Sequence, residues 1–192
     1  MRKILRSPLG RILFLLMIIP FMAWFLVKPV RVLQPAWLSL PCTEEPVCVD
    51  DNAQLAQARA LYEDALNSLS PPLGPLNSRP HFVFCSSQQC ADQFGLGARS
   101  AVTIADWGTV VGPKAWKDYY VRHELIHHLQ AQQWGVLRRM WLPDWVVEGM
   151  AYALSGDPRH PLAEPWEAHR ARFQVWFASI PPDQMWSLAV DQ

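Results

Sequence analysis

The sequence predicts an α+β domain with a small sheet, carried behind an N-terminal transmembrane anchor. Three observations predict it. An uncharged run at residues 12–27 follows a basic start. Apolar residues recur at helical spacing in four later stretches, and short β-type runs are confined to the interval between the first and second of these.

Ile12 to Val27 is sixteen residues without a charge. Arg2, Lys3, Arg6 and Arg11 precede it while Lys28 and Arg31 follow, so the basic excess predicts that the N-terminal end faces the cytoplasm. The run is slightly short of a full span and contains Pro20, so a cleaved signal peptide and a retained anchor both fit. Lys28-Pro29-Val30-Arg31 stands where a cleavage site wants small residues, which favours the anchor. Trp24 and Trp37 suit the membrane interface or ordinary packing. The expected division is a cytoplasmic basic segment at 1–11, a signal anchor at 12–28, a linker at 29–50 and the folded domain at 51–192. That domain is expected on the periplasmic or extracellular side of the inner (plasma) membrane.

The formal charge of the whole chain is zero, but its halves differ. Six of the 17 Lys and Arg lie before residue 32 and all 17 Asp and Glu lie after residue 43, so the remainder holds 11 basic against 17 acidic groups. An acidic domain without a basic stripe predicts no nucleic-acid partner. The cysteines form two close pairs, Cys42 with Cys48 and Cys85 with Cys90, neither at zinc-knuckle spacing. For an exported domain two local disulfides are the simplest reading, with free buried thiols as the alternative.

Asp51 to Leu69 reads as the first helix of the domain, capped by Asp51 or Asn52, with Leu55, Ala58, Leu61, Tyr62, Ala65 and Leu69 at helical spacing. A Pro-rich loop from Ser70 to Pro75 ends it. His81 to Cys85 has a strand's character, and Ser86 to Phe94 is polar enough for one or two helical turns. Ala101 to Ala105 and Gly108 to Val111 read as two strands joined by Asp106-Trp107, closed by Gly112-Pro113. Ala115 to Trp134 is free of Pro and Gly and stops at Gly135, and a further helix begins near Pro143-Asp144 and runs to Leu154. Ala163 to Ile180 is another amphipathic helix. Most of the ten Trp fall near or after the long central helix and read as core, with Trp107, Trp145 and Trp166 as candidates for a cleft.

Within the long helix stands His123-Glu124-Leu125-Ile126-His127. Residues four apart share one helix face, so both imidazoles can reach a single ion. Glu124 lies one step round, placed to accept a proton from a metal-bound water and not to ligate. His128 points away from that face. On the following helix Glu148 is a lone carboxylate in the apolar segment Trp145 to Leu154, and a buried acid there needs a partner.

This stretch, roughly residues 100 to 155, resembles the gluzincin metallopeptidases, in which a Glu on the next helix completes a His, His, Glu set. The matching residues are His123, Glu124, His127 and Glu148, and Glu148-Gly149-Met150-Ala151 has the form common after that ligand. The resemblance implies a small zincin-like domain with a short sheet packed on the metal-binding helix. It implies Zn2+ held by His123, His127 and Glu148, with Glu124 activating a zinc-bound water that hydrolyses a peptide or protein substrate. The strand upstream of the metal helix often borders the substrate cleft in that family, so Ser100 to Val111 is either such an edge or a core hairpin. Tyr152, His160, His169 and Arg170 are available as oxyanion donors. In thermolysin-like members an Asp one turn after the ligand Glu orients the first His, whereas Tyr152 stands there in this chain, which leaves Asp118 and Asp157 as substitutes. The alternative function is a non-catalytic zinc-stabilised binding or assembly factor at the membrane, and a third is hydrolysis of another amide, such as one in a cell-wall peptide.

Overall fold

The computed structural model describes residues 8–38, 40–42, 46–69 and 72–192. Arg2, Lys3 and Arg6 of the basic segment, Ser70 and Pro71 of the Pro-rich loop, and the side chains of Trp24 and Trp37 lie outside the described residues. Helix α1 spans Pro8–Leu26 with Pro20 inside it. Among the described residues no helix is long and apolar enough to cross a membrane. The expected transmembrane anchor is therefore corrected. Sixteen uncharged residues make about 24 Å of helix against a hydrocarbon core of about 30 Å.

Strand β1 (Val47–Val49) is followed by helix α2 (Leu55–Asn67), and strand β2 (His81–Phe84) then pairs parallel with β1. Helix α3 (Gln88–Gln93) leads to strands β3 (Ala101–Ile104) and β4 (Gly108–Val111), which pair antiparallel with each other. Strand β4 also pairs parallel with β2, giving one four-stranded sheet in the order β1-β2-β4-β3. The class is thus mixed α/β rather than α+β. The helical crossover from β1 to β2 forces a parallel pair, and the three-residue β1 exists through that pairing.

The sheet is covered on both faces, and side chains alternate between them with a period of two. Val47, Val49, Phe82, Phe84 and Val111 face α2, where Tyr62 and Leu125 are also buried. Cys48, Val83 and Val110 face the opposite layer of Cys90, Phe94 and Val32. Val32 belongs to a short 3-10 segment, Lys28–Leu33, held on α3 by Lys28 Nζ to Asp92 O (3.1 Å) and Arg31 Nη1 to Gln93 O (2.7 Å). The stretch read as a linker therefore supplies a strand and a buried core residue. Both expected disulfides are present, Cys42–Cys48 and Cys85–Cys90.

Helix α4 (Asp118–Trp134) crosses the α2 face of the sheet and ends at Gly135, whose φ of 76° favours glycine there. One turn, α5 (Val136–Arg139), and helix α6 (Asp144–Leu154) follow. Helices α7 (Trp166–Ala178) and α8 (Met185–Ala189) complete a second core, in which Ile126, Leu129, Val146, Met150 and Phe173 are buried. Gly149 sits where α6 meets α7. A Cβ there would stand 2.4 Å from the His169 carbonyl oxygen and 2.9 Å from Phe173 Cβ, so only glycine lets the two helices come this close.

Candidate metal centre

Helices α4 and α6 meet so that three side chains converge. His123 and His127 are four apart on the buried face of α4, and Glu148 projects from the middle of α6. The two Nε2 atoms are 3.1 Å apart, Glu148 Oε2 is 3.5 Å from His123 Nε2, and Glu148 Oε1 is 3.4 Å from His127 Nε2. Donors about 2.0–2.1 Å from one tetrahedral ion are separated by about 3.4 Å, so this spacing fits a shared zinc-sized cation. The set is two neutral-capable nitrogens and one carboxylate, all within 4.8 Å of one another.

The protons of His127 support the same use. Its Nδ1 lies 2.9 Å from Gln130 Oε1, an acceptor only, so Nδ1 carries the proton and Nε2 of the neutral ring presents a lone pair to the centre. Gln130 Nε2 donates to the Val147 carbonyl at 2.8 Å, so one buried amide fixes the tautomer of a ring on α4 and grips α6 beside Glu148. Among the described residues His123 has no such partner: its Nδ1 is buried without a hydrogen bond, and its ring is held by edge-on packing against Tyr152 at 4.4 Å. Asp118 pairs with Arg122 and Asp157 with Arg159, and among the described residues neither bonds to His123.

Burial disfavours charge on Glu148, yet the His127 charge and hydrogen bonds from both rings outweigh it and hold the carboxyl well below the usual range. Burial likewise pulls His127 down, and Glu148 more than compensates, raising it. Glu148 and His127 thus each favour the charged form of the other.

Glu124 is also buried, on the side of α4 that faces β3. Its Oε2 accepts from Thr103 Oγ1 at 2.8 Å, and Thr103 Oγ1 lies 2.7 Å from Thr109 Oγ1, its partner across the β3–β4 ladder. With one proton per hydroxyl, Thr109 donates to Thr103, and Thr103 donates to Glu124, whose Oε2 and main-chain O (3.0 Å) share the proton. His128 stands off the centre. It is fully buried, accepts from Gln132 Nε2 at 2.9 Å, and burial pushes it down to about 4, so it is neutral.

A cleft of about 560 Å3 opens over His123, His127, Glu148 and Glu124, walled by β3 on one side and by Tyr152 and Trp166 on the other. Strand β3 is a sheet edge and Ala101, Val102 and Thr103 line the cleft, so the hairpin forms a cleft wall. Of the four oxyanion candidates, Tyr152 lines the cleft. Burial, reinforced by Glu148, pushes its hydroxyl up to about 12, so it remains a donor. Arg170 turns instead to the Arg159 carbonyl, His160 and Glu167, and His169 packs on Trp166. Trp145 is core and Trp107 is exposed on the β3–β4 turn.

Gln130, Thr103 and Arg139, the last also lining the cleft, were not legible as site residues. Polar positions in a buried helix and a threonine in a strand carry no metal-site spacing, although Gln130 falls on the His127 side of α4. Compared with protein-family models, curated proteins and solved structures, the chain matches none.

Proposed function

We propose that the protein is a zinc-dependent metallopeptidase that hydrolyses peptide bonds, with His123, His127 and Glu148 as metal ligands and Glu124 as the general base. The observation that carries this reading is the convergence of the three donor groups at 3.1–3.5 Å beneath an open cleft, with a separate carboxylate beside them. Three ligands leave a coordination position for chemistry, whereas a purely structural site closes with four and has no use for Glu124. That contrast favours catalysis over a zinc-stabilised binding factor.

A bound zinc ion supplies Lewis-acid polarisation of the scissile carbonyl and acidification of water to near neutral pH. The chain's own residues supply the rest. Gln130 holds His127 in the ligating tautomer, and Tyr152 packs His123 in place. Thr103 occupies Glu124 Oε2, leaving Oε1 to take the proton of the attacking water and return it to the departing amine nitrogen. Tyr152, protonated across the working pH range, donates to the developing oxyanion. The β3 edge lies where an extended peptide can add its backbone to the sheet.

The two disulfides support a setting outside the reducing cytoplasm. Metal analysis of the purified full chain, never exposed to chelator, tests the centre. Stoichiometric zinc is expected, with Glu124→Gln retaining the metal and losing turnover of a peptide library. Wild-type protein without zinc overturns the proposal; zinc without cleavage of any peptide returns the argument to a binding factor.

A further inference from the structure

Three arginines line the cleft, and their surroundings differ. Arg99 is spent on backbone, its Nε on Leu96 O (3.2 Å) and its Nη2 on Gly95 O (3.0 Å). Arg159 forms a two-pronged pair with Asp157, donates to Tyr120 Oη at 2.8 Å and lies over the Tyr120 ring at 4.6 Å. Arg139 lines the same cleft, yet among the described residues its guanidinium has no hydrogen bond or ion pair.

The acids nearest the centre are not free to serve it. Both oxygens of Glu148 are turned to the imidazoles, and Glu124 Oε2 is held by Thr103. Their charges act on Arg139 through space without closing an ion pair. A partly buried guanidinium that no described protein group engages keeps its planar fork available to the cleft, and that fork matches a carboxylate.

We propose that Arg139 is the substrate-anchoring residue of this cleft and that it recognises a carboxylate on the peptide, so the preferred substrate carries a free carboxylate next to the scissile bond. This rests on the peptidase reading above and adds a chemical class to it. Two sources share that chemistry, the C-terminal carboxylate of a short peptide and the side chain of Asp or Glu. Arg139 binds and positions; it takes no part in proton transfer.

The test uses the full chain with its metal, in the Glu124→Gln form so that peptides bind without being consumed. Peptides of one sequence are compared as C-terminal acid and C-terminal amide, and separately with an internal Glu or Gln. One charge-assisted, bidentate contact predicts that a carboxylate form binds about tenfold or more tightly than its neutral partner. Whichever pair shows the preference identifies the source. Arg139→Gln should collapse that preference, Arg139→Lys should keep part of it, and in active protein the loss should appear in KM rather than kcat.

Equal binding of charged and neutral forms by the protein with Arg139 intact overturns the inference without any Arg139 variant having to fold. So does an Arg139→Gln protein that keeps the preference, or one whose loss is equal on acid and amide and carried by kcat, which is the pattern of an oxyanion donor. Those outcomes leave the peptidase reading standing. Failure of every peptide to bind or be cleaved instead removes that reading, and the anchoring role with it.

Discussion

His127 and Gln130 are joined by a 2.9 Å bond in which the imidazole Nδ1–H donates to the amide oxygen, while the same amide donates to the backbone of the neighbouring helix at Val147. One side chain therefore sets the tautomer of His127 and grips the helix that carries Glu148.

Replacing Gln130 with Leu should weaken zinc binding by about 10–100-fold, as loss of an orienting partner does at other metal sites. Competition against a chelating dye measures this directly. Affinity equal to wild type means that packing alone orients His127.

Thr103→Val removes the donor to Glu124 while keeping the strand's shape. With about 1.5 kcal/mol of orientation lost, kcat should fall by about tenfold, and zinc content should stay at the wild-type level. Thr103→Ser should recover most of the rate. If Val and Ser variants turn over peptide equally, the hydroxyl does not position the base.

Gly149→Ala places a methyl against the His169 carbonyl and Phe173 Cβ, both fixed to the α7 backbone. Overpacking of this kind costs about 1–3 kcal/mol, read as a lower midpoint in urea. Because Glu148 is the preceding residue, metal affinity should fall together with stability. A variant as stable as wild type would show that α6 and α7 part easily.

Asp50 ties the end of β1 to the start of α3. Its carboxylate accepts from Ser86 N at 2.6 Å, Ser87 N at 3.1 Å and Ser87 Oγ at 2.8 Å. Burial raises its pKa, but these bonds outweigh burial and leave it lowered from 3.8. A folded-state pKa below the unfolded value means that the unfolded chain binds more protons, so the stabilisation is full above the unfolded value and disappears as pH falls through the folded one. Asp50→Asn should therefore destabilise at pH 7 by about 1–3 kcal/mol, and the gap between variant and wild type should close in acid below the usual carboxylate range. A gap that does not change with pH contradicts this account.

Much of the arrangement was legible in the sequence because it is local. The His123 and His127 spacing, the break at Gly135 and the restart at Asp144 are properties of neighbouring residues, and the helices stand within a few residues of where periodicity puts them. Strand β1 was not legible, since three residues between Pro46 and Asp50 become a strand only when β2 lies beside them. The same holds for Thr103 and Gln130, whose roles depend on contacts 21 and 17 residues away in the chain. The N-terminal run misled for a related reason: the absence of charge over sixteen residues does not by itself make a helix long and apolar enough to span.

The pairing of Thr103 with Thr109 has one further consequence. A ladder moved by a single residue would turn Thr103 to the other face and offer Val102 or Ile104 to Glu124. The hairpin thus works as a ruler for the Glu124 carboxylate. If the protein is the proposed zinc peptidase, a misregistered population would bind zinc and keep much of its ordinary circular dichroism, and would be counted as folded by both measures while remaining idle. Active-site titration, rather than zinc content or spectroscopy, is the measure that separates such molecules from correctly threaded ones.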